Sequence, residues 1–232
     1  MPYRLVQLGG GLPIWFQAAC IIGDVLWIVA YILIIVRSFK DRTYGVPMLC
    51  IALNFTWEFI YAVQFPNPNN ITAMLRWAWL LTDAVIVYQL FRYGRGSQNI
   101  PLIKQYFYPI CVVMFVFAYI GQLTFHYSFG DTLGGVDAYM INLVMSTLFV
   151  SMCLNRPNGA GLSRGAAWAK MLGTGVLSVA SCFVFTNWLQ SSFLVFLFAT
   201  IFIFDVIYIA LLYRPQAAAA ERPEDRGVLA AA

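Results

Sequence analysis

Seven apolar stretches of about 20 residues each, separated by short polar joints, limit what this chain can become. They run over residues 14–36, 45–65, 72–91, 103–125, 136–154, 166–186 and 189–212. The chain is 61% hydrophobic and 10% charged, with a mean hydropathy of +0.75, far outside the range of a soluble domain. The expected fold is all-α, a polytopic integral membrane protein of seven transmembrane helices over residues 1–213. Beyond it, residues 214–232 hold an alanine run and the cluster Glu221-Arg222-Pro223-Glu224-Asp225-Arg226, which read as a disordered polar tail. The joints Arg37 to Thr43, Pro66 to Asn70, Tyr93 to Asn99, His126 to Gly135, Asn155 to Gly159 and Thr186-Asn187 read as loops, most of them rich in Pro, Gly and Asn. The first residues, Met1-Pro2-Tyr3-Arg4-Leu5, lack the cationic region and cleavage site of a signal peptide, so the first apolar segment reads as a retained helix.

Orientation follows from the basic residues. Twelve of the fourteen Lys and Arg fall in the joints after segments one, three and five or at their edges, Lys170 among them, and in the tail. Only Arg4 and Arg76 lie on the other side, which puts the N-terminus outside the cytoplasm and the C-terminus inside. The net charge of +4 and pI near 8.8 are accounted for by those cytoplasmic loops, and no nucleic-acid partner is expected. Five cysteines, Cys20, Cys50, Cys111, Cys153 and Cys182, all sit in apolar segments without metal-ligand spacing, and read as packing residues.

Segments three and seven share a pattern, Asp83 to Arg92 and Asp205 to Arg214, with Asp nine residues before Arg in both. Two three-helix units joined by a fourth helix would bring those segments parallel, as the charge-derived orientation also requires. Chance similarity between apolar helices gives the same pattern.

Four carboxyls lie within the apolar segments: Asp24, Glu58, Asp83 and Asp205. Ionisable groups at such depth are functional hypotheses by default. With about 1.5 Å of rise per residue, Asp83 and Asp205 come out about 14 Å from Arg92 and Arg214, while Asp24 and Glu58 lie about 20 and 24 Å from Arg37 and Arg42. The acids would then occupy two tiers about 5–10 Å apart. Lys and Arg are expected at neither depth, so each acid must face the interior, share a proton, or find donors on Asn, Tyr or Trp. Interhelical hydrogen bonding is the alternative role for any one of them. Helical spacing sets Asn54, Trp57 and Tyr61 around Glu58, and Phe202 and Tyr208 around Asp205. Those residues, with Asp24 and Asp83, are the expected substrate contacts. Aromatic faces in a dry cavity stabilise a cation by about 2 kcal/mol or more.

Several chemistries have no residues to carry them. The sequence holds no Asp-Asp-x-x-Asp metal pattern, no Gly-rich phosphate loop and a single histidine, His126, which reads as exposed or capping. No metal and no cofactor is therefore expected. Retinal is excluded too, since the last segment contains no lysine.

A seven-helix chain of this length, with Trp57-Glu58 in its second helix and Phe204-Asp205 in its seventh, resembles the membrane-bound terpene cyclases of fungal meroterpenoid and indole-diterpene pathways and their bacterial relatives. The resemblance covers most of residues 10–215. It implies cyclisation of the prenyl chain of a lipophilic prenylated small molecule, epoxidised or not, started by protonation and ended by proton loss. It further implies that Glu58 and Asp205 are the two essential catalytic acids, and leaves Asn54, Asp24 and Asp83 without assigned roles. The membrane would be a bacterial plasma membrane, or the endoplasmic reticulum of a fungus. A small sugar carrier of two three-helix repeats is the alternative reading, and a receptor or assembly subunit a third.

Overall fold

The computed structural model describes residues 13–66, 73–185, 187 and 190–214. Of the expected tail only Arg214, and of the joint Thr186-Asn187 only Asn187, falls among them. Every regular element among the described residues is helical: α1 (Ile14–Asp41), α2 (Met48–Phe59), α3 (Ala73–Tyr93), α4 (Pro101–Gln105), α5 (Phe107–Phe129), α6 (Gly135–Leu154), α7 (Arg164–Val184) and α8 (Ser192–Leu212). A π turn, Ile60–Gln64, continues α2 and closes with Phe65 donating its backbone N–H to the Ile60 carbonyl.

The helix ends explain where the expected segments were short or long. Helix α1 outruns residue 36 because Arg37 and Asp41 pair one turn apart at 2.6 Å, and it stops where Arg42 turns left-handed at φ 49°. Helix α2 waits for Met48, following Pro47, whose ring fixes an extended entry. Tyr106, at φ −99° and ψ 22°, splits the expected fourth segment into the short α4 and the long α5. The latter runs on past His126 to Phe129, where left-handed Gly130 ends it. Ser163 and Ser191 cap α7 and α8 by accepting the N–H groups of Ala166 and Leu194.

Packing from helix to helix closes a circuit: α1 against α3, α3 against α2, α2 against α6, α6 against α8, α8 against α7, and α7 back against α1. Helix α5 packs beside α2 and α6. Helices α1 and α7 approach where Gly23 faces Gly173. A Cβ on Gly173 would lie 3.0 Å from the Gly23 carbonyl oxygen, and one on Gly23 would lie 2.5 Å from Leu177. Small residues permit such contact between membrane helices, whose association lacks a hydrophobic driving force. The outer surface is apolar, with Val29, Val36, Val113, Phe117, Phe196 and Ile203 all exposed. The polar side chains go inward. Helices α1, α5, α6, α7 and α8 are each long and apolar enough to cross a membrane, while α2 with its π turn is shorter, at Met48–Gln64.

Candidate functional site

All four expected acids are buried, none more than 4% exposed, yet they do not form the expected tiers. Glu58 of α2 and Asp83 of α3 bring their carboxyls next to each other where the two helices pack. The reason lies in the joint before α2. Arg42 to Pro47 spend six residues without climbing, so Glu58 stands about 15 Å above Met48, level with Asp83 at about 14 Å above Arg92. Two carboxyls in contact need at least one proton between them. Glu58 Oε2 and Asp83 Oδ2 accept no donor among the described residues. Tyr31 of α1 donates its hydroxyl to Glu58 Oε1 at 3.2 Å, and Asn54 Nδ2 donates to the Tyr31 oxygen at 2.8 Å. Asn54 thus reaches Glu58 through a tyrosine that the sequence reading did not single out.

Asp205 corrects the expectation that no cation shares the acids' depth. Lys170 of α7 places Nζ 2.7 Å from Asp205 Oδ1 and 2.9 Å from Oδ2, and donates to Ser146 Oγ of α6 at 2.8 Å. Lys170 had been counted with the cytoplasmic loop. It starts in the second turn of α7, and its four-carbon stem carries the ammonium inward, where it also lies 5.7 Å from the Trp27 ring centre. Its place inside the expected apolar segment 166–186 was the signal that could have found it, and the structure leaves it only 4% exposed. Ser146 donates onward to the Asn142 carbonyl, and Asn142 Nδ2 to Thr174 Oγ1.

At the opposite end of α2 a second group collects. Arg76 donates to the carbonyls of Tyr61 and Leu133 and lies over the rings of Trp57 and Tyr61 at 5.7 and 5.9 Å. Trp57 Nε1 donates to the Gly134 carbonyl, and Trp79 Nε1 to that of Asp24. Tyr61 does not share Glu58's face as helical spacing predicts. It lies in the π turn, where five-residue bonding shifts the angular phase, and its hydroxyl reaches the Asp131 carbonyl and His126 Nδ1. His126 is neither exposed nor a cap, since its ring stacks on Phe65 at 4.3 Å. Asp137, another buried acid that the sequence reading missed, donates its backbone N–H to the Asp131 carboxylate at the start of α6.

Between α1, α6, α7 and α8 lies a cavity of about 10 Å³, room for about one water. Trp27, Tyr31, Phe149, Tyr208, Ala167 and Lys170 are among its walls. Tyr208 stacks on Phe149 with ring centres 5.0 Å apart. Phe202 does not join it, since its side chain is 56% exposed on the outer face of α8. The structure therefore brings Glu58, Asp83 and, through Tyr31, Asn54 together. It sets Asp205 and Tyr208 beside the cavity, and leaves Asp24, Trp57 and Tyr61 with Arg76 and its neighbours. Among the described residues no group of three or more His, Cys, Asp or Glu could hold a metal ion. All five cysteines are free.

Comparison with known proteins gives these features a context. The family described as Pyr4-like transmembrane terpene cyclases matches residues 13–217. Terpene cyclase macJ of Penicillium terrestre is 31% identical over 70% of this chain and 64% of its own length, so the chain spans a little under two thirds of that relative. Terpene cyclase cle7 of Aspergillus versicolor is 27% identical over 71% of this chain and 69% of its own. The Pyr4-family terpene cyclase mfmH of Annulohypoxylon moriforme is 27% identical over 82% and 79% respectively.

Proposed function

Because the chain belongs to the Pyr4-like transmembrane terpene cyclases, we propose that it cyclises the prenyl chain of a lipophilic prenylated small molecule, with Glu58 as the proton donor. The carrier alternative has no support from relatives named as terpene cyclases. The observation that carries the donor role is the contact between Glu58 and Asp83.

A buried carboxyl pair to which no ammonium or guanidinium bonds rests most cheaply in the neutral state, with a proton on each acid. Glu58 then gives its proton to an epoxide oxygen, opening the C–O bond, or to a terminal alkene carbon, leaving a tertiary cation. The proton remaining on Asp83 bridges the two carboxyls, and the Tyr31 hydroxyl holds Glu58 Oε1. Those bonds to the new carboxylate offset the weakness of a neutral buried acid. Aromatic faces such as Trp57, Trp79 and Tyr208 are suited to the migrating cation, which ends by losing a proton. Asp205 is required as well, through its hold on Lys170 rather than as a hydrogen-bond partner of Glu58.

In this reading the reaction needs no divalent metal, because Glu58 is engaged with Asp83, Asp205 with Lys170, and Asp24 stands apart from both pairs. The seven spans are α1, α2 with its π turn, α3, α5, α6, α7 and α8, with the N-terminus outside the cytoplasm. The paired units are α1–α3 and α6–α8, joined by α5. Two parallels favour this. The third helix packs on both others in each unit, and the aspartate of that third helix pairs with a side chain of the second, Asp83 with Glu58 and Asp205 with Lys170.

The test is direct. Membranes carrying the protein are incubated with farnesyl phenol and farnesyl indole, each as the alkene and as the terminal epoxide. A product of unchanged mass with fewer double bonds is expected from at least one. Recovery of all four unchanged from membranes holding folded protein would overturn the proposal.

A further inference from the structure

The ion pair of Lys170 and Asp205 has a sidedness that the donor role of Glu58 does not use. Lys170 is a wall of the cavity, while Asp205 lies behind it on α8. An ammonium has three N–H donors. They meet Ser146 Oγ and the two Asp205 oxygens, and because a single N–H can serve both oxygens of one carboxylate, one donor can turn to an oxygen that enters the cavity. The rest of the wall is largely aromatic or small: Trp27, Tyr31, Phe149 and Tyr208 with Ala166 and Ala167. Such a site suits a flat, lipophilic group that carries one oxygen acceptor.

We propose that Lys170, backed by Asp205 and Ser146, binds the oxygen of the substrate's non-prenyl end, a phenol, enol or carbonyl. This rests on the cyclase reading and gives the site two ends. Tyr31, bonded to Glu58, and Trp27, under Lys170, stand one turn apart on α1 with ring centres at 5.8 Å. The prenyl chain runs past them from the oxygen at Lys170 to its reactive terminus at Glu58. This polarity keeps the new cation away from the ammonium. Asp205 is then a positioning residue, because without it the ammonium loses both its counter-charge and its aim. A substrate ring exceeds the present cavity, so lining side chains turn aside as it enters.

The experiment compares farnesyl phenol with farnesyl benzene, which lacks the oxygen, each in the alkene or terminal-epoxide form that the wild-type protein converts. A hydrogen bond from a charged donor predicts that wild type favours the phenol by about tenfold or more in kcat/KM. Lys170→Arg should keep part of that preference. Lys170→Met should lose it, mainly through KM. Should Lys170→Met fail to fold in detergent, the double variant Lys170→Gln/Asp205→Asn removes both charges of the pair together and carries the same test. Equal use of phenol and benzene by wild type, or a preference that survives undiminished in folded Lys170→Met or in the double variant, would overturn the inference while leaving the cyclase reading intact. Failure of the cyclase reading is seen separately, as recovery of every farnesyl substrate unchanged from folded wild-type protein, and failure of the donor role as turnover that persists in Glu58→Gln.

Discussion

Lys170 Nζ stands 2.7 Å from Asp205 Oδ1 across the α7–α8 contact, with both side chains almost sealed from solvent. The Glu58–Asp83 contact between α2 and α3 is its counterpart, with an acid in place of the lysine. In the proposed mechanism one pair holds a charge in balance and the other holds protons, and this difference separates anchoring from proton donation.

The Lys170–Asp205 pair should show the asymmetry of buried ions. Removing one partner, by Lys170→Met or Asp205→Leu, strands a charge and is expected to cost about 3–5 kcal/mol. The double variant should recover much of that loss. Thermal unfolding in detergent checks it, and additive losses in the double variant would deny the coupling.

Chelation should leave the reaction intact. Cyclisation in membranes is expected to persist in excess EDTA, because the proposed donor is a carboxyl pair. Loss of turnover that magnesium restores would require a different initiation step.

Gly134 sits at φ 72°, with a built Cβ only 2.5 Å from the Tyr61 ring, while its carbonyl receives the Trp57 N–H. Gly134→Ala should therefore destabilise the protein by at least about 1 kcal/mol from backbone strain alone. The displaced Tyr61 ring adds to that. Unchanged thermal stability would mean that this corner relaxes freely.

Reporter fusions after Arg42, Asn69, Asn99 and Asp131 should read cytoplasmic, outside, cytoplasmic and outside. A cytoplasmic signal at Asn69 or Asp131 would contradict the orientation drawn from the basic residues.

The helices and four of their buried acids were legible because apolar length and isolated carboxyls are local signals, whereas Asp137, at a segment edge, was missed. Partners were not. Glu58 meets Asp83 because the turn from Arg42 to Pro47 absorbs residues without rise, which a count from Arg42 converts into false height. Lys170 looked like a loop cation because its backbone is near the helix end, whereas its long stem decides where the charge goes. Tyr31 carries no sequence mark beyond lying seven residues after Asp24, on the same side of α1. The π turn that redirects Tyr61 has no evident signature in Ile60 to Gln64.

The most direct measurement of the central claim is turnover by Glu58→Gln membranes, at equal folded protein, on whichever farnesyl substrate the wild-type protein converts. Glutamine keeps the shape and can still accept the Tyr31 hydroxyl, but has no acidic proton to give. The rate should fall by at least about 10²-fold, with Asp83→Asn falling less, because its amide can still donate to the carboxylate formed on Glu58. Near-normal product from Glu58→Gln would contradict proton donation by Glu58 and make it a structural contact between α1, α2 and α3.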